Sequence, residues 1–164
     1  MFPNQGNLTV IDAEPHKGRE YGGHDKQLGN IRRPTYDFNA THGEWSLAGV
    51  KAIGWWIEEY RFAQVSTNLT DMHATGLDEA YAAVSAAARR HGRRVTGTEV
   101  IGLLPEWVLV EAGQRLAGEP LAADEAVAVA VERLGLNTMQ TEGRRFVPDE
   151  KIVERVLAAK IKLD

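Results

Sequence analysis

Two runs of alternating character, Val50–Ile57 and Phe62–Leu69, sit either side of Glu58-Glu59-Tyr60-Arg61, a connection of hairpin length. Placing Ile57 opposite Phe62 fixes every later pair, because a one-residue slip would turn each side chain to the other face. One face then carries Trp56 with Ala63, Gly54 with Val65, Ala52 with Thr67 and Val50 with Leu69, a small and apolar set that suits a core. The other carries Ile57 with Phe62, Trp55 with Gln64, Ile53 with Ser66 and Lys51 with Asn68. Short neutral hydrogen-bonding groups beside an indole differ from the Lys, Glu and Thr of a simple solvated face, and they suit a bound ring. A half-wet face packed under a loop or a neighbouring subunit is the alternative from this pattern alone.

Downstream the period changes to that of helices. Leu77, Ala80, Tyr81, Val84 and Ala88 recur on one face, with Thr75 as the expected cap, Asp78 reaching back to it, and a stop near Gly92. A third strand is expected over Val95–Leu104, interrupted by Gly97 and Gly102. Pro105 opens a helix from Glu106 to about Ala117, with Gly118 beyond it; Asp124–Leu134 and Pro148 to about Leu163 follow as helices. Residues 1–49 read as an irregular arm, rich in Gly and Pro, with at most one short strand at Asn7–Ile11 and little order unless a partner holds it. Residues 50–164 form the folded domain. Strands followed by helices, beginning with an antiparallel pair, predict an α+β fold: a small, mainly antiparallel sheet with helices on one face, a ferredoxin-like two-layer sandwich. The face bearing Trp55, Gln64, Ser66 and Asn68 is expected to be the one without helices.

Composition narrows the chemistry. The 164 residues suit one domain with a real core. A formal charge of −4 supplies no field for nucleic acid. No apolar run approaches a membrane span and the N-terminus is no secretory signal, so the cytoplasm is the expected location. Without cysteine there are no disulfides, thiolate metal sites or cysteine nucleophiles, and His16, His24, His42, His73 and His91 are scattered without metal-ligand spacing, so no metal is expected. His73, between the second strand and the following helix, is the one candidate acid or base, against the simpler reading of a solvated loop histidine. Arg89, Arg90, Arg93 and Arg94 around His91 complement a helix C-terminus or, alternatively, anchor an anionic tail. Glu99, between Gly97 and Gly102, could hold a cationic group or an amino-pterin edge, or be a plain edge-strand charge.

The segments AIGWWIEEYRFAQVSTNLTD, HATGLDEAYAAVSAAARRHGRRVTGTEVIGLLP, AVERLGLNTM and FVPDEKIVERVL together resemble the C-terminal subdomain of glutamate formiminotransferase, the enzyme sometimes fused to a cyclodeaminase, from about Val50 to Leu163. The resemblance implies transfer of a formimino group from N-formiminoglutamate to tetrahydrofolate in histidine degradation, with folate held between two α/β subdomains. It implies that Gln64, Ser66, Thr67 and Asn68 line the folate site, with Gly97, Glu99 and Gly102 on the neighbouring strand and Trp55 at an aromatic position. The family's Gly-Glu-His-Pro-Arg catalytic motif has no counterpart in the sequence: His16-Lys17-Gly18 matches only its shoulder. The expected partners are therefore folate, formiminoglutamate and an N-terminal subdomain on another chain, in a homo-oligomer, with this chain a fragment, a truncated product or half of a split enzyme. A non-catalytic module that dimerises through its open sheet face is the competing function.

Overall fold

Pairing of the hairpin follows the side-chain alternation: Ile57 lies opposite Phe62, Trp55 opposite Gln64, Ile53 opposite Ser66, Lys51 opposite Asn68 and Val50 opposite Leu69. The computed structural model describes residues 6–12, 47–57, 62–90, 92–137 and 145–161; within it the side chains of residues 6–12 and of Ile53, Trp55, Trp56 and Phe62 are not described. The elements are β1 (Gly6–Asp12), β2 (Val50–Ile57), β3 (Phe62–Leu69), α1 (Leu77–Arg90), β4 (Gly97–Ile101), α2 (Glu106–Ala117), α3 (Ala123–Arg133), α4 (Pro148–Lys151) and α5 (Val153–Ile161). The fold is α+β, as expected. Among the described residues the strands form one antiparallel sheet in the order β2-β3-β1-β4.

The predicted short strand near the N-terminus exists, but it is no appendage. β1 pairs along its length with β3 on one side and with β4 on the other. The greater part of the expected arm, residues 13–46, lies outside the described residues.

Helices cover one sheet face. Val50, Leu69 and Val100 belong to the same buried cluster as Leu77, Val84, Leu109, Val127 and Leu134, and α1 lies over β1 and against α2. Gly118 and Gly92 take left-handed conformations at the ends of α2 and α1, where a Cβ would be penalised. The start of α1 differs from expectation. Its first turn is closed by Glu79, whose Oε2 accepts from Gly76 N at 2.8 Å, while the Thr75 hydroxyl donates instead to Ala48 O at 2.7 Å. Asp78 is thereby free to pair with Arg115 on α2, whose Nη2 lies 2.7 Å from Asp78 Oδ1. That hydrogen bond and its charge raise the Arg115 pKa above its usual value.

The last predicted helix is broken in two. Ile152 adopts extended geometry, φ −92° and ψ 121°, and forms a parallel bridge with Leu104: Leu104 N donates to Lys151 O and Val153 N to Leu104 O, each at 3.0 Å. Both side chains are fully buried, and Ile152 N still donates to Pro148 O and Val156 N to Ile152 O, so the break adds two bridge bonds and a pair of core residues while keeping part of the helical ladder. With Thr98 N donating to Gly135 O and Lys151 Nζ to Val100 O, the bridge also occupies the outer edge of β4. That edge would otherwise expose unpaired backbone groups.

α2 and α3 pack so closely that a methyl group at Gly113 would stand 1.9 Å from Ala126 O. The backbone cannot yield as a side chain would. Although alanine is the better helix former, Gly113→Ala is expected to cost about 1–3 kcal/mol. In a chain of this size, thermal unfolding should fall by about 2–4 °C for each kcal/mol lost. An unchanged or higher midpoint would show that the two helices can separate.

Candidate ligand-binding face

The register sets out the face opposite the helices as three rows. The Cα positions run Trp55–Gln64–Ile11–Gly97 in one row, Ile53–Ser66–Thr9–Glu99 in the next and Lys51–Asn68–Asn7–Ile101 in the third. Gln64, Ser66, Asn68, Gly97 and Glu99 therefore share one side of the sheet. Thr67 does not. Alternation turns it to the helix side, where it is 1% exposed, in register with Ala52 on β2 and Leu8 on β1. Gly102 follows β4 with φ 87°, a left-handed turn that ends the strand.

The strand of Gly97 and Glu99 is not the neighbour of β3, contrary to expectation. β1 stands between them and separates the two sets of polar groups by two strand spacings, about 10 Å. The signal was present in GNLTVID, whose Leu8 and Val10 alternate with Asn7 and Thr9 in the same manner that Val65, Thr67 and Leu69 alternate with Ser66 and Asn68. The surrounding glycines and prolines obscured it.

Nor is the face bare. Gln64 is 7% exposed and Glu99 8%, whereas Ser66 and Asn68 are half-buried and Lys51 is open to solvent. β3 is an inner strand, flanked on both sides, and loses the exposure that a hairpin at a sheet edge would have kept. Among the described residues Asn68 Oδ1 is inaccessible and has no hydrogen-bond donor. A buried acceptor without a donor costs free energy. Trp55 lies opposite Gln64 in register, and its side chain is outside the described set.

Beyond β3 the chain turns sharply. Thr70 N, Thr70 Oγ1 and Asp71 N all donate to Gly49 O, at 2.7, 2.9 and 3.2 Å. Asp71 Oδ1 then accepts from His73 N and Ala74 N. This turn holds His73 away from the candidate face. Its ring is stacked on Trp107 of α2, centroids 4.2 Å apart and planes 5° from parallel, and Trp107 packs on the helix-side core. The possibility that His73 faces the sheet is thus overturned by a partner from a helix 34 positions along the chain that spacing does not disclose. Arg89 and Arg90 form the exposed last turn of α1, as expected of cations at a helix C-terminus, and His91 lies outside the described residues. Among the described residues no group of His, Asp and Glu has the arrangement of a metal site.

At the far side of the face, α3 ends at Gly135, whose φ of 65° turns its carbonyl onto Thr98 N while Leu134 and Leu136 on either side are fully buried. The RLGLN segment thus fastens α3 to β4 one residue from Gly97.

Residues 17–158 match the formiminotransferase domain family. The chain belongs to that family. The match starts well ahead of Val50 and so takes in most of the segment expected to fall outside the resemblance. The formimidoyltransferase-cyclodeaminase of Dictyostelium discoideum is 36% identical over 121 residues, 71% of this chain and 22% of the relative. That of Gallus gallus is 33% identical over 118 residues, 70% of this chain and 21% of the relative. The glutamate formimidoyltransferase of Streptococcus pyogenes serotype M1 is 38% identical over 64 residues, 39% of this chain and 21% of the relative. The alignments thus span about a fifth of the length of these relatives.

Because Asn68 Oδ1 has no donor among the described residues, Asn68→Leu is expected to leave stability within about 1 kcal/mol of the parent, or to raise it. Urea unfolding reads this directly. A loss of several kcal/mol would mean that the amide has a structural partner.

Proposed function

We propose that the face bearing Gln64, Ser66, Asn68, Gly97 and Glu99 is the folate-binding wall of a glutamate formiminotransferase, with Trp55 and Gly102 at its ends and Thr67 supporting it from the core side. The observation that carries this reading is the coincidence of family membership with register: the polar residues of the AQVSTNL and VTGTEV segments fall in adjoining rows on one side of one sheet. Neutral amide and hydroxyl groups on β3 can meet both donors and acceptors of a pterin, and the Glu99 carboxylate accepts only, which suits its ring N–H groups. Tetrahydrofolate is then a co-substrate. The strand order, with α1 joining β3 to β4, supports a ferredoxin-like sandwich.

In the transfer, the carbon–nitrogen bond from the formimino carbon to the glutamate nitrogen breaks and one to a tetrahydrofolate nitrogen forms. The proton lost by that folate nitrogen ends on the nitrogen of glutamate. Such exchange calls for an acid–base group, worth typically about 10²- to 10⁴-fold. His73, held against Trp107 on the helix side, is poorly placed to supply it. An N-terminal formiminotransferase subdomain is then the source of that group, and the face described here binds folate without itself supplying the proton transfer. The role this reading gives the chain is in histidine degradation in the cytoplasm; among the described residues no helix is long and apolar enough to cross a membrane.

Titration with folinate, followed by tryptophan fluorescence, tests the reading. Saturable binding is expected, weakened roughly tenfold or more by Glu99→Gln and by Gln64→Leu, since each removes a charge-assisted or buried polar contact. His73→Gln should leave it unchanged. Absence of binding at millimolar folinate sinks the proposal.

A further inference from the structure

Charge is unevenly spread over the sheet face opposite the helices. In its three rows Lys51 is the one cation and Glu99 the one anion, and they stand on the two end strands of the described sheet, β2 and β4. Three strand spacings separate them across the sheet, about 14 Å, and one step of two residues along it, about 7 Å, so their Cα positions lie roughly 16 Å apart. The two ends also differ in burial. Glu99 is 8% exposed, whereas Lys51 is open to solvent, and among the described residues its ammonium has no carboxylate partner. Such a lysine is a compact charge on a flexible stem, and all three of its N–H bonds donate.

We infer, on the folate reading given above, that Lys51 binds a carboxylate of the glutamyl tail and so sets the direction in which the ligand lies, with the pterin over β4 and the tail over β2. Folate carries a donor-rich ring at one end and an anion at the other, with a phenyl ring and an amide between them to cover the distance. The reverse direction sets the tail carboxylates beside Glu99 and the pterin N–H groups beside an ammonium that cannot accept. That arrangement is repulsive at one end and unpaired at the other. Ser66 and Asn68 on β3 lie between the two ends, and their hydroxyl and amide groups serve either direction. The choice therefore falls to the charged pair. Because the contact at Lys51 is exposed, it adds little affinity, and direction is its larger effect.

Folinate and its dimethyl ester, each titrated into the parent chain and into Lys51→Gln, isolate this contact, because the ester keeps both rings and loses both tail charges. The parent is expected to favour the acid about twofold to fivefold at low salt, as an exposed ion pair does. Lys51→Gln should bring the two ligands together by weakening folinate alone, with the ester bound as before. Lys51→Arg should keep the preference, and about 1 M salt should erase it. A lysine that only guards the edge of the sheet would not distinguish the two ligands. No preference in the parent, or one that persists in Lys51→Gln, overturns the inference and leaves the folate-binding face standing. Failure of the parent to bind either ligand removes both.

Discussion

Pairing of Gly6–Asp12 on both of its edges is the constraint on which the architecture depends. A hairpin of β2 and β3 alone has two open edges and one short apolar face, and such a pair is marginal in water. With β1 added, β3 becomes an inner strand and β4 acquires a partner, so that Val50, Leu69 and Val100 can share one core beneath α1 and α2. The same pairing spreads the polar residues of the other face over four strands instead of two. The polar face expected on a hairpin becomes a four-stranded one on which Ser66 and Glu99 occupy one row with Thr9 between them.

The outer edge of β4 is managed by pieces drawn from far along the chain. Gly135 supplies a carbonyl to Thr98, Lys151 reaches Val100, and Ile152 bridges Leu104. Each of these contacts has a local cost: a left-handed glycine, a lysine drawn towards backbone, a helix interrupted at one residue. Together they fix β4 against sliding and hold Glu99 in register with Ser66. Just beyond the interruption at Ile152, Glu154 Oε2 accepts from Glu106 N and Arg155 Nε donates to Glu106 Oε1, each at 2.9 Å, which ties the start of α5 to the start of α2.

A second set of contacts orients the turn after β3. Gly49 accepts three hydrogen bonds from Thr70 and Asp71, Thr75 returns to Ala48, and Arg115 clasps Asp78. This turn decides where His73 lies. Stacking on Trp107 gives the imidazole a partner on α2, so its placement follows from a loop conformation that near neighbours in sequence do not disclose.

By itself the sequence determined what depends on near neighbours. The hairpin register followed from a four-residue connection and strict alternation, which put Gln64, Ser66 and Asn68 on one face and Val50 and Leu69 on the other. α2 and its left-handed Gly118, the end of α1 at Gly92 and the α+β class were legible for the same reason, and the AQVSTNL, VTGTEV and RLGLN segments disclosed the family. Tertiary structure decided what depends on distant partners. β1 inserts between β3 and β4 because its alternation matches theirs, although sequence places it outside them both. Burial of Gln64 and Glu99, the stacking of His73, Glu79 rather than Asp78 closing α1, and the break at Ile152 each answer to a residue tens of positions away or to competition between local partners. Backbone pairing and core burial outweigh propensity at such points, since an unpaired buried amide or an empty core position costs more than a bent helix.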